Sequence, residues 1–461
     1  MSGIEKVIDS LDPPPHRPPR KERNDARTSI TAVRQQAGAA TLQLSDFYAL
    51  MSSHTYLFVP TREPWPAASV NGRIPKIVED AGRIRASEWL DRNRAVEQLV
   101  WHPAEPMLVR DRVMQVSGWV PHKGATVFNL YRKPEPMHGD ATKAQRWIEH
   151  LRSIYPNEAN HITKWLAHRV QRPGEKCNHA LVLGGPQGIG KDTLLVPVRQ
   201  GLGAWNCSDI SPTQLLGRFN GWAKAVMVVM SEARDLGDRD RFELYDHSKT
   251  YIAAPPDVIR VDEKNLREHY VANVCGVVFT TNHKTDGLYL PADDRRHFVA
   301  WSDVERDQFD RHYWRELYGW YQSGGIAHVV AYLSTLDISE FDAKAAPPKT
   351  AAFWAIVQVG EAPESGELRD VLDACGHPDV LTLFALIQAA ENLKLFELST
   401  DLKERKNRRS LPHKLERVGY VSVRNPDAAD GLFKINGRRQ TVYAKRSLPL
   451  TIQIKAARAV G

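Results

Sequence analysis

Cysteine is scarce in this sequence. The four residues present (Cys177, Cys207, Cys275 and Cys375) are scattered and form no CxxC pair. That excludes a disulfide framework and a thiolate zinc site, and fits a reducing cytosol. Long apolar runs are missing too: no stretch approaches the ~20 residues that cross a bilayer. The first residues, MSGIEKVIDSLDPPPHRPPRKERNDAR, lack the hydrophobic segment of a secretory signal. No membrane partner is therefore expected, and a cytoplasmic location is. Histidine is plentiful at 17 residues, but no HExxH or comparable cluster organises it, so most read as ordinary surface or core residues.

What is there is a chain of 461 residues, too long for one ordinary core, so two or three domains are expected. The formal net charge of +7 is unevenly distributed. Residues 401–461 hold 15 Lys and Arg against 5 Asp and Glu, an excess of +10 that leaves residues 1–400 near −3. A basic C-terminal region is the footprint of a polyanion partner, and on charge alone equally that of a solvated basic face.

Residues 1–30, rich in proline and charge, read as disordered. Residues 31–140 hold short aromatic and β-branched runs interrupted by prolines, the pattern of a small α+β domain without evident chemistry. From about 141 the spacing turns helical, first through Trp147, Ile148, Leu151 and Ile154, then through Ile162, Trp165, Leu166 and Val170, with Pro173-Gly174 as the stop. Three apolar runs follow at Ala180–Leu183, Ala225–Met230 and Val274–Thr280; strands separated by crossovers imply an α/β domain with a mostly parallel, covered sheet over 141–345. Beyond a proline-containing linker, residues 346–461 read as helices (one capped by Ser365, one over Leu381–Leu393, one from about Asn407 to Val418). Strands follow at Tyr420–Val423, Leu432–Ile435 and Arg438–Ala444, with Asn436-Gly437 as a type I′ turn. Helices followed by a β-hairpin are the layout of a winged helix.

The sharpest motif is Gly185-Pro186-Gln187-Gly188-Ile189-Gly190-Lys191, between an apolar strand and a candidate helix. Glycines let successive backbone N–H groups turn toward one centre, the helix N-terminus adds positive potential, and Lys191 supplies a mobile charge. A nucleoside triphosphate, ATP with Mg²⁺, is the expected ligand. Asp192 stands where Ser or Thr usually ligates the metal, and Thr193 follows; either Asp192 holds Mg²⁺ or the hydroxyl role passes to Thr193. Pro197 is expected to kink the helix two turns in. A hydrolysing site also needs an acid at the end of a neighbouring strand. Glu232, after Ala225–Met230 and Ser231, is the candidate activator of water, with Ser231 in a position often held by Asp. Asn282, ending the third strand, can hold the γ-phosphate or the lytic water. Arg295 and Arg296 can stabilise charge on a transferred phosphoryl group.

The ordered set GPQGIGKDT (185–193), VMVVMSE (226–232), VVFTTN (277–282) and DDRRHF (293–298) resembles the superfamily 3 helicases, in particular the phage and plasmid primase-helicase type. HITKWLAHRVQRP (161–173), QLLGRFNGW (214–222) and FDAKAAPPKTAAFW (341–354) fit the same likeness, which covers roughly 140–355. The resemblance implies an AAA+-like core that assembles as a ring, usually a homo-hexamer, around single-stranded DNA, with Arg295 or Arg296 acting on a neighbour's nucleotide. It also implies a DNA-contacting hairpin in the pore; Lys264 is the candidate lysine there, with Lys249 and Arg260 in support. In the C-terminal module Arg408, Arg409, Lys414, Arg438 and Arg439 are the candidate contacts to duplex phosphates. No primase constellation is evident in 31–140, so a separate primase is an expected partner. If the chain is of phage origin, its compartment is the bacterial cytosol. Two readings compete with a replicative helicase: an ATP-gated DNA-binding initiator without unwinding, favoured by Ser231, and a packaging or segregation ATPase, disfavoured by the spacing of Asn282 and Arg295-Arg296.

Overall fold

The structure is a computed structural model that describes residues 41–80, 82–231, 238–264, 266–283, 288–360, 363–404, 411–435 and 437–460. The disordered segment expected over 1–30 lies outside the described residues, as do Glu232, Arg408 and Arg409. The chain divides into two compact units at Gln98/Leu99, inside the segment expected to form one N-terminal domain.

In the first unit, strands Phe47–Leu50, Thr55–Phe58, Glu63–Pro66 and Ala95–Val96 form a four-stranded sheet. Phe47, Phe58 and Trp65 cluster with ring centroids 5.0–5.4 Å apart. Helices Ala67–Arg73 and Ala86–Asn93 bury Val70 and Leu90 beside them.

The second unit is organised by a sheet. Helices α1 (Gln145–Ile154) and α2 (Ala159–Gln171) lead into β1 (Ala180–Gly184), α3 (Lys191–Leu202), β2 (Cys207–Ile210), β3 (Met227–Ser231) and α4 (Asp238–Ile252). The hairpin β4 (Val258–Val261) and β5 (His269–Ala272) follows, then β6 (Gly276–Thr281), β7 (His297–Trp301), α5 (Arg311–Trp320), α6 (Ile326–Thr335) and α7 (Ala351–Gly360). The strand order is β2-β3-β6-β1-β7, and every pairing in it is parallel. Sequence patterning found β1, β3 and β6 but not the outer strands β2 and β7, whose residues read as loop and motif.

Alternation along these strands decides which helices cover which face. Leu181, Leu183, Met227, Val229, Val278 and Phe298 point into one core with Trp147, Leu151, Trp165, Leu194 and Val329. Ala180, Val182, Val228, Met230, Val277 and Phe279 point into another with Leu244, Ile252, Phe353 and Ile356. With both faces covered, β1 lies fully buried between β6 and β7, and its C-terminal end opens where chain connections leave in opposite directions, the usual place for a ligand in such sheets.

Pro197, where a kink is expected, lies inside α3, and the helix runs on through it to Leu202. Proline cannot donate to the carbonyl four residues back, here that of Thr193. The Tyr321 hydroxyl donates to that carbonyl at 3.1 Å and replaces the lost bond.

The C-terminal part carries α8 (Pro363–Ala374), β8 (Val380–Thr382), α9 (Leu383–Asn392), α10 (Phe396–Lys403), α11 (Leu411–Arg417), β9 (Tyr420–Val423), β10 (Phe433–Ile435), β11 (Arg438–Gln440), β12 (Val442–Lys445) and α12 (Leu450–Ala459). Ser365 falls within α8 and not at its cap, because the helix begins two residues earlier at Pro363. The next helix, α9, is capped by Thr382, its hydroxyl accepting from the Ala385 N–H at 3.1 Å. Strands β8, β12 and β9 form one antiparallel sheet; β10 and β11 form an antiparallel pair in which Ile435 is opposite Arg438, and Asn436 of the expected turn lies outside the described residues. Short β8, helix α10 and the terminal helix α12 had no separate signal in the sequence reading.

Candidate nucleotide site

Strand β1 ends at Gly184, and the chain turns through Gly185, Gly188 and Gly190, all at positive φ, before α3 begins at Lys191. At Gly190 (φ +92°) the requirement is also steric. A Cβ there would sit 2.5 Å from His150 Nε2 and 2.6 Å from the Trp314 ring. Ile189, wholly buried, pins the middle of the loop into the core.

Lys191 is 7% exposed, and its ammonium donates to Gly185 O at 2.6 Å, Pro186 O at 2.8 Å and Asn282 Oδ1 at 2.7 Å. Burial pushes its pKa down to about 8, with the Asp192 carboxylate acting in the opposite sense. Lys191 and Asn282, 91 positions apart, are thus brought into direct contact because β1 and β6 are neighbours.

A cavity of about 510 Å³ opens here, lined by the loop and first helical turn (Gln187, Gly188, Gly190, Lys191, Asp192, Thr193), by Ser231, Thr280 and Asn282, and by Trp314 and Tyr318. Ser231 pairs with Thr280 across β3 and β6, which sets both at the same level of the strand ends. Asp192 is exposed, whereas Thr193 is buried and its hydroxyl shares a 3.0 Å hydrogen bond with Tyr318. The stem of Arg306 rests against Gly188, where an added Cβ would lie 3.1 Å from its Cδ. Backbone N–H groups at a helix start, a buried cation and a hydroxyl-lined wall are an arrangement able to hold a chain of phosphates. Sequence reasoning missed Trp314, Tyr318, Thr280 and Arg306. Trp314 and Tyr318 stand at i, i+4 on α5, a spacing indistinguishable from an ordinary core stripe.

Arg295 and Arg296 do not line this cavity. They line a second one of about 870 Å³, together with Tyr245, Asp246 and Lys249 of α4, Val357 of α7, and Glu416 and Arg446 of the C-terminal part. The turn that carries them is organised by Asp294, whose buried carboxylate accepts from the Tyr245 hydroxyl (2.9 Å), the backbone N–H groups of Arg296 and His297 (2.9 Å each) and His297 Nδ1 (3.1 Å). Burial alone would raise its pKa; the hydrogen bond and charge of His297, with the remaining donors, bring it down to about 2. Arg296 Nε is buried with no hydrogen-bond acceptor among the described residues.

The candidate DNA-contacting residues separate. Arg260 and Lys264 lie on the β4–β5 hairpin, Lys264 exposed in its turn and Arg260 paired with Glu268 at 3.3 Å. The segment 214–222 holds the turn end of this hairpin: Asn220 Nδ2 donates to Arg260 O, the Asp262 N–H donates back to Asn220 Oδ1, and Arg218 pairs with Asp262. Lys249 is not on the hairpin but on α4, paired with Asp246 at 2.6 Å and facing the arginine cavity. In the C-terminal part Lys414 pairs with Asp401 at 2.7 Å and Arg439 with Asp430 at 2.8 Å; Arg438 lies on β11. Among the described residues no group of three or more His, Cys, Asp or Glu side chains is placed to hold a metal, and no helix is long and apolar enough to cross a membrane.

A family model described as a family of unknown function, DUF5906, matches residues 183–296, the span from the end of β1 to the arginine turn. No curated protein matches the chain. Among solved structures, the fold is similar to the apo NrS-1 C-terminal region (305–718), with TM-score 0.54 and 13% identity over 87% of this chain and 95% of that one. A second apo form of that region gives TM-score 0.52 and 15% identity over 87% and 96%. The JCV helicase gives TM-score 0.30 and 13% identity over 52% of this chain and 66% of that one, too distant to support an argument. The likeness to the NrS-1 region is one of fold: a mixed α/β protein built on a parallel sheet.

Proposed function

We propose that this chain is an ATP-dependent replicative DNA helicase of the superfamily 3 type, with an AAA+-like P-loop core, translocating on single-stranded DNA as a homo-hexamer or similar ring. The observation that carries the reading is the convergence of distant motifs. Lys191, Ser231 and Asn282 surround one cavity, while Arg295 and Arg296 face another on the same unit. A subunit that keeps its arginines away from its own phosphate cradle needs a neighbour to complete the site. Head-to-tail contacts of this kind close into rings when their rotation closes.

In this reading the Gly185–Lys191 loop and the start of α3 hold the triphosphate. Lys191 leaves the loop carbonyls for the β- and γ-phosphates, and Asn282, already bonded to it, positions the γ-phosphate or the lytic water. Glu232, directly after Ser231, takes the proton of that water. Oxygen donors that suit Mg²⁺ stand at the cavity in Asp192 and Ser231, and they would hold the ion together with the phosphates; the Thr193 hydroxyl is engaged with Tyr318, which favours Asp192 of the two candidates. Bound there, the ion would neutralise charge developing on the phosphates. Lys264 and Arg260 on their hairpin would contact the DNA strand. The order of helices and antiparallel strands after 363 supports a winged-helix module, with Arg408, Arg409 and Arg438 as its phosphate contacts and Lys414 and Arg439 partly neutralised by acids. A separate primase is the expected companion, and a bacterial cytosol the expected setting.

The test is strand displacement on a forked duplex with ATP. Displacement should require Lys191 and Glu232, disappearing in Lys191→Ala and Glu232→Gln, and should fail in Lys264→Ala while hydrolysis persists. The second reading, a nucleotide-gated initiator, is favoured by a hydroxyl at 231 in place of an acid. DNA-stimulated hydrolysis without displacement would establish it and sink the helicase.

A further inference from the structure

The cavity beside the glycine loop has two chemically different ends. Lys191, Asn282, Ser231 and Thr280 make one end polar and cationic. Trp314 and Tyr318 make the other aromatic, with ring centroids 6.3 Å apart. Between them runs the first turn of α3, and Thr193 marks its far end by its 3.0 Å hydrogen bond to the Tyr318 hydroxyl. Trp314 is held from behind by His150, Phe309 and Tyr313, with centroids 5.4–5.6 Å away, and is packed so closely on Gly190 that no side chain fits between. Yet Trp314 is only half-buried, and Tyr318 is 46% exposed. Core packing accounts for Leu317 between them, which is wholly buried, but not for two large rings left open on the rim of a polar cavity.

We propose that Trp314 and Tyr318 are the platform on which the nucleobase stacks, so that the site takes nucleoside triphosphates with a purine base, recognised by its face and not by its hydrogen-bonding edge. The assignment rests on the reading of Gly185–Lys191 as the phosphate cradle. A triphosphate whose terminal phosphate meets Lys191 and Asn282 and whose chain follows the start of α3 delivers its sugar and base toward Thr193, which Tyr318 touches, with Trp314 one helical turn away between Tyr318 and the loop at Gly190. Stacking on an aromatic ring is tolerant of base identity because every base has a π face, and the larger purine face gains most.

Binding of ATP, GTP and inorganic tripolyphosphate is measured by calorimetry on the full chain, for wild type, Trp314→Ala, Trp314→Phe, Tyr318→Ala and Lys191→Ala. Trp314→Ala and Tyr318→Ala should each weaken ATP and GTP about ten-fold, the loss typical of one stacked base. They should leave tripolyphosphate unchanged, which also shows that the loop beside the substitution is intact. Trp314→Phe, which keeps an aromatic face, should recover most of the affinity. Unchanged ATP affinity in both alanine variants overturns the platform, as does an equal loss for tripolyphosphate. Failure of the cradle itself reads differently: tripolyphosphate would not bind the wild type, or would bind Lys191→Ala as well.

Discussion

Raising the pH from 7 to 9 should weaken triphosphate binding about ten-fold, because Lys191 loses its proton in that range. The cause is local. Its ammonium is withdrawn from water, 7% exposed, and held by two carbonyl oxygens and one amide oxygen, so burial brings its pKa down to about 8. The ligand is polyanionic and favours the charged lysine. Below pH 8 that form dominates the empty site and affinity is on its plateau. Above pH 8 each further unit costs approaching a factor of ten, since the proton must be regained on binding. At pH 7 about nine-tenths of the sites carry the proton, and at pH 9 about one-tenth; a lysine at the ordinary value near 10.4 would lose only about 4% over the same interval. Calorimetry in two buffers of different ionisation enthalpy reads both the affinity and the proton taken up. Asn282→Ala removes an acceptor that favours the charged form, so its fall should begin at lower pH. Lys191→Arg, which stays charged, should show no slope. An affinity flat to pH 9 in the wild type, or the same fall in Lys191→Arg, would refute the reasoning.

Tyr321→Phe should destabilise α3 by about 1–3 kcal/mol, the cost of stranding a buried carbonyl, because Pro197 offers the Thr193 carbonyl no N–H and the Tyr321 hydroxyl stands in at 3.1 Å. Pro197→Ala restores the missing donor, so Tyr321→Phe should cost far less in that background; amide exchange along α3 reads the coupling, and additive effects of the two changes would contradict it. Asp294→Ala removes the acceptor that gathers Tyr245, His297 and the backbone of the arginine turn. Because that turn does not line the phosphate cavity, the variant should keep its ATP affinity but lose most of its turnover; unchanged turnover would separate Arg295 and Arg296 from the reaction.

Much of the core was legible in the amino-acid order because it rests on local rules. A glycine loop between an apolar run and a helix announces itself, since only glycine takes the positive φ found at 185, 188 and 190 without strain. The helices before β1, and the three inner strands, follow from apolar spacing. The outer strands did not, because β2 (Cys207–Ile210) is short and half-exposed and β7 begins inside the arginine motif. Pro197 shows the limit most clearly: local chemistry leaves the Thr193 carbonyl without its helical donor, and a hydroxyl 124 positions away supplies what the proline lacks.

By itself, then, the sequence determined the loop, its lysine and the order of the motifs, since each depends on neighbours in the chain. Only the tertiary structure decided which of them meet. Parallel pairing of β1 with β6 puts Asn282 on Lys191, and the path of α5 brings Trp314 and Tyr318 to the rim of the same cavity. The turn after residue 290 carries Arg295 and Arg296 not to that cavity but to a second one shared with Lys249 and Arg446. No spacing encodes those meetings, because strand order and helix docking are fixed by burying both faces of one sheet at once, a condition on the whole unit and not on any segment of it.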